Sequence, residues 1–154
     1  MAKTAKDIQG DIVALLKGSV LGQAISGDVY RKGYRPRNSR LEDAVVIFTA
    51  GLPSQVQTGV VTVHVYVPDI DLGGVFVENG HRTAVLERLA QGWVENSLSC
   101  RASGYKFTLQ ATITTEPDTE IQQHFVVVML RYEYFGDDAN IPFPVTQQQQ
   151  VINP

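Results

Sequence analysis

The chain has 154 residues, 44% apolar and 19% charged, with 13 Lys and Arg against 16 Asp and Glu for a formal net charge of −3. That composition excludes global disorder and suits one domain with a substantial core. The negative balance excludes a protein that coats nucleic acid over its whole surface, and the longest apolar runs fall far short of the ~20 residues of a membrane helix.

A first helix is predicted over residues 4–18. Thr4 stands at the cap position, Asp7 lies three residues on, and Gly18 closes the end. Ile8, Ile12, Leu15 and Leu16 form one apolar stripe. Gly10 interrupts it at a cost of about 1 kcal/mol relative to Ala. The opening ten residues carry bases but no apolar block, so they read as a helix start and not as a signal peptide.

A small linker and a short strand, DVYRKG, lead into residues 29–40, VYRKGYRPRNSR. This segment holds Arg31, Lys32, Arg35, Arg37 and Arg40 and no acid, which leaves eight bases against sixteen acids in the rest of the chain. Gly33 and Pro36 predict a bent, exposed loop.

DAVVIFTAGLP reads as a strand ended by Gly51 and Pro53. TGVVTVHVYVPDI follows as a second, with Val61, Val63, Val65 and Val67 on one face and Thr62, His64 and Tyr66 on the other, stopped by Pro68. DIDLGG reads as a turn. Residues 77–98 form the second predicted helix, with Val85, Leu89 and Trp93 spaced by four and Leu86 and Ala90 beside them. GYKFTLQATITTE and EIQQHFVVVMLRYEYF, joined by EPDTE, predict an antiparallel hairpin. Residues 136–154 hold three of the seven prolines, four consecutive glutamines and no Lys or Arg, and predict an extended tail ordered only against a partner surface.

The order α-β-β-β-α-β-β implies a single α+β domain over residues 1–135, with one mostly antiparallel sheet and two helices packed on it. Long strands leave edges that must be paired or covered.

Little catalytic chemistry is visible. DLGGVFVENG lacks the Lys-Ser/Thr of a phosphate loop, and His64, His81 and His124 show no metal-ligand spacing, so neither a cofactor nor a metal is expected. Asp69, Asp71 and Glu78 form the best carboxylate cluster, which suits either a divalent cation or acid–base work. The polar turn after a strand explains the same acids through local backbone bonding. Ser97, Ser99 and Cys100 lack a nucleophile elbow. Cys100 is the only cysteine, so no internal disulfide is available and an intracellular setting is the expectation. Trp93 reads as a core or interface anchor. The sequence therefore predicts a protein that is not an enzyme.

Four partners suit the basic segment: solvent, an acidic surface on a second copy, nucleic acid, or another anion. Tyr30 and Tyr34 alternate with Arg31, Lys32 and Arg35, a pattern that suits single-stranded nucleic acid. An acidic body meeting a basic loop suits side-by-side copies.

The run from DAVVIFTAGLPSQVQTGVVTVHVYVPDI through NGHRTAVLERLAQGWVENSL to HFVVVMLRYEYF resembles, in element order, the tail-terminator and tail-completion proteins of long-tailed bacteriophages and related contractile particles. The likeness spans residues 4–135, and the basic loop and the tail depart from what is typical of the family. It implies a non-enzymatic ring, commonly a hexamer, within the virion and assembled in the host cytoplasm. Such a ring caps the tail tube, joins it to neck or connector proteins, and lets DNA pass through its lumen without any membrane contact. The rival expectation is a small nucleic-acid-binding module using the 29–40 loop.

Overall fold

Thr4 and Asp7 close a capping box at the start of α1 (Ala5–Lys17). The Thr4 hydroxyl accepts from the Asp7 N–H, and the Asp7 carboxylate accepts from the Thr4 N–H. The Thr4 N–H, and after it the Thr4 hydroxyl, hold the Asp7 carboxyl below its ordinary range. Ile8, Ile12 and Leu16 are fully buried as the stripe predicts, with Leu15 at its flank. Gln9 is buried as well, its amide reaching the Val46 carbonyl at 3.4 Å. The expected linker forms a second short helix, α2 (Val20–Ala24), whose Ser19 cap accepts from the Gly22 N–H.

The computed structural model describes residues 2–98 and 104–136. Ser99, Cys100 and the predicted tail beyond residue 136 lie outside the described residues.

Three strands follow α2: β1 (Val29–Arg31), β2 (Ala44–Leu52) and β3 (Gln57–Pro68). The segment expected as a plain turn is a small hairpin, β4 (Ile70–Leu72) and β5 (Val75–Val77). Gly73 and Gly74 both take positive φ at its tip, the conformation a two-residue hairpin turn requires. Then come α3 (Gly80–Trp93), a π-helical turn (Val94–Leu98), β6 (Tyr105–Leu109), β7 (Thr114–Asp118) and β8 (Gln123–Tyr134).

The fold is α+β. Its main sheet has six strands in the order β1-β2-β3-β8-β6, with β7 also on β8, and every pairing but β1–β2 is antiparallel. Parallel neighbours need a crossover of about a dozen residues or more. Residues 32–43, most of the basic segment, are that crossover.

Two expectations are revised by the packing. The single strand over residues 104–116 is two strands. Leu109 pairs with Leu130 and Thr114 with Val127, so five steps on this side meet three on β8 and the chain must kink between them. The buried stripe of α3 is Thr83, Leu86, Ala90 and Trp93, while Val85 and Leu89 are only partly buried. Thr83 can join the core because its hydroxyl donates to Glu78 at 2.6 Å.

Val61, Val63, Val65 and Val67 of β3 and Val126, Val128, Leu130 and Tyr132 of β8 face α1 and α3 in one core. Tyr105, Phe107 and Tyr134 close its far end with ring centroids 4.8–5.2 Å apart. The Tyr132 hydroxyl lies against Gly51 and Gly59, where a Cβ would stand 2.6 and 2.7 Å from it. Glycine at both positions makes room for the phenol.

Candidate self-association surface

The basic crossover is built around the acid at its end. Asp43 is fully buried and accepts from Arg35 Nε at 2.8 Å, from the Ser39 hydroxyl and from the Asp28 N–H. Arg35 also reaches Gln123 Oε1 at 2.8 Å and the Leu41 carbonyl, and its guanidinium lies 4.1 Å over the Tyr66 ring. Arg40 donates to the Ile121 carbonyl at 2.6 Å, tying the loop to the turn before β8. Arg31 crosses Gly10 of α1, where a Cβ would stand 2.5 Å from its guanidinium, and it borders an open pocket of about 570 Å³ with Lys3, Lys6, Asp7 and Asp11.

The five cations are therefore not one patch. Arg35 and Arg40 fasten the loop, Arg31 packs on α1, and Lys32 and Arg37 are exposed. The side chains of these last two make no hydrogen bond or ion pair among the described residues. Tyr34 and Leu41 on the same loop are exposed apolar side chains.

That loop folds over one end of the sheet's second face. The residues pointing there include Ile47, Val60, His64, Tyr66, Phe125, Val127 and Met129, all half-buried. No helix among the described residues packs on them, since α1 and α3 both lie on the opposite, core side. His64 and Phe125 stack at 4.4 Å, with Tyr66 5.4 Å from Phe125. Burial in that aromatic group pushes the His64 pKa down and the Tyr66 pKa up.

The β4–β5 hairpin is the feature that the sequence reading missed. Its register pairs Ile70 with Val77 and Leu72 with Val75, which puts all four aliphatic side chains on one face and Asp71 and Phe76 on the other. All four are exposed, Leu72 by 60% and Val75 by 63%. The signal was present in the sequence as apolar alternation on either side of Gly73-Gly74.

His124 of β8 holds the first end of this hairpin and lies beside the second. Its Nδ1 lies 2.6 Å from Asp69 Oδ1, just before β4, and its Nε2 lies 3.9 Å from Glu78 Oε1, just after β5. The carboxylates singled out in the sequence thus meet a histidine at the hairpin base. Asp71 instead accepts from the Gly74 N–H at 2.6 Å and braces the turn. The imidazole Nε2 is turned toward a carboxylate, a clamp and not the geometry that activates a nucleophile. Among the described residues no group of three or more His, Cys, Asp or Glu is arranged to hold a metal, and no helix is long and apolar enough to cross a membrane. His81 is exposed on the first turn of α3, and Trp93 is buried in the core.

No protein-family model and no curated protein matches this chain. A solved structure known by a sequence label alone aligns with 82% of this chain and 89% of its own, at 15% identity and a TM-score of 0.42, a likeness that carries no functional argument.

Proposed function

We propose that this protein is a structural assembly component whose copies join side by side into a closed ring, in the role of a phage-type tail terminator between tail tube and neck. The observation that carries the self-association is the sheet face left without a helix layer, whose apolar side chains have no second layer of the described fold to pack on. A half-buried apolar face of this kind marks an interaction surface. Identical subunits satisfy such faces most simply in closed symmetric assemblies. The tail-terminator role rests on the order of the major elements, from the capped first helix to the long last strand.

Light scattering of the full chain tests the first part: a discrete ring is expected, and a strict monomer at high concentration overturns it. Incubation with purified tail tubes tests the second. Rings should appear at tube ends by electron microscopy, and free tubes beside unattached rings count against the terminator role.

The rival reading, nucleic acid on the basic loop, is supported by exposed Tyr34 between Lys32 and Arg37. With two exposed cations that make no hydrogen bond or ion pair among the described residues, Lys32 and Arg37, affinity for single strands should fall with a log–log salt slope of about −1.4. A slope near −3.5 would require all five to bind phosphate and would favour that reading.

A further inference from the structure

We infer that the aliphatic face of the β4–β5 hairpin of one copy docks against the basic-loop end of the open sheet face on the next copy. This deepens the self-association reading and rests on it.

The hairpin cannot be stable for its own sake. A two-stranded ribbon in water is marginal, and this one exposes four aliphatic side chains on a single face. Yet it is held firmly at its base, by His124 on Asp69 and by Thr83 on Glu78. An anchored apolar arm is preorganised for a partner, which keeps the ordering cost of docking small.

Charge selects the partner. The segment from Asp69 to Glu78 has three acids and no base. The crossover loop has the opposite balance, with Lys32 and Arg37 exposed beside the apolar Tyr34 and Leu41, and it continues through Arg35 onto Tyr66 of the open face. An apolar arm with acids at its margins meets an apolar shelf with bases at its margins.

Position makes the contact one between copies. Asp69 and His124 lie on the helix-bearing side of the sheet, whereas Tyr66, Phe125 and Gln123 point to the other. The arm is thus anchored from one face of the sheet and the shelf rests on the other, so an arm-to-shelf contact between copies is head-to-tail, and a head-to-tail contact closes into a ring when its rotation permits. The hairpin's aliphatic face offers on the order of 300 Å², less than the ~800 Å² per partner of a standard interface, so the shelf and the open sheet face must contribute the remainder.

The test uses two variants of the full chain, Leu72→Ser/Val75→Ser in the arm and Lys32→Glu/Arg37→Glu on the shelf, each checked by circular dichroism. Each alone should shift wild-type rings to monomer at the same concentration. Mixed in equal amounts they should form heterodimers and nothing larger, because each mixed pair has one working arm and one working shelf. If the serine pair loses structure, Val75→Thr keeps the strand propensity and the shape, and should still weaken assembly several-fold. Intact rings from both folded variants, or no heterodimer on mixing, would overturn the docking contact while leaving self-association in place. A wild type that never assembles would overturn the reading beneath it.

Discussion

Arg35 Nε lies 2.8 Å from Asp43 Oδ2, and this ion pair closes the twelve-residue crossover on itself while the same guanidinium reaches Gln123 of β8. Asp43 is fully buried and the Arg35 side chain is 11% exposed, so removal of one partner leaves a desolvated charge. Asp43→Ala is expected to destabilise the fold by about 3–5 kcal/mol, measured by urea unfolding. Arg35→Ala should cost a similar amount, and the double variant less than the sum of the two. Additive costs would show that the two side chains act independently.

At the hairpin base, Asp69→Asn weakens the contact to His124 without changing the size of the side chain. Charged hydrogen bonds contribute roughly 1.5–3 kcal/mol, so amides at residues 70–77 should exchange with solvent about tenfold faster or more. Amides of β3 and β8 inside the core should be unchanged. Uniform acceleration across the chain would mean that Asp69 supports the whole domain and not the hairpin.

A small pair of residues sets the far end of β3. The Tyr132 hydroxyl is buried beside the Gln57 side chain and makes no hydrogen bond of ordinary geometry among the described residues, because the Gln57 amide is taken up by the Lys3 backbone. Tyr132→Phe should therefore be neutral or stabilising by up to about 2 kcal/mol, because an unsatisfied buried hydroxyl is removed. Gly59→Ala should destabilise by about 1–3 kcal/mol, because its Cβ meets both that hydroxyl and the Ala50 carbonyl. Thermal melting of both variants checks the pair. A large loss in Tyr132→Phe would reveal a bound water or another partner for the phenol.

How much of this was legible in sequence depends on whether a residue's neighbours were local. Val61, Val63, Val65 and Val67 announced the buried face of β3 because alternation is a property of the strand itself. Thr4 and Asp7 announced the helix start for the same reason. Thr83 did not announce its place in the core, since its burial depends on Glu78 accepting its hydroxyl proton across the helix start. Nor could the basic run show that Arg35 and Arg40 are tied inward, because their partners Gln123 and Ile121 lie more than eighty residues away. Two short β-strands around Gly73-Gly74 were readable in principle, but six residues give too little alternation to separate a hairpin from a turn.

His64 makes the open face sensitive to acid. The ring packs with Phe125 and, edge-on, with Tyr66, and burial there lowers its pKa below the ordinary 6.5. A folded-state pKa below the unfolded one means that the unfolded chain binds the proton more readily. The stability from neutral His64 is therefore complete above pH ~6.5 and is lost as pH falls through the lower folded value. Replacement by Gln removes that titration while keeping a polar side chain of similar reach. Between pH 7.5 and 5 the wild type should lose more thermal stability than His64→Gln, and above pH 7 the gap between the two should not change with pH. If assembly covers this face, the imidazolium becomes harder still to accommodate, and rings should dissociate over the same interval in the wild type but not in the variant. Parallel curves for the two proteins would show that the carboxylates, and not His64, set the acid response.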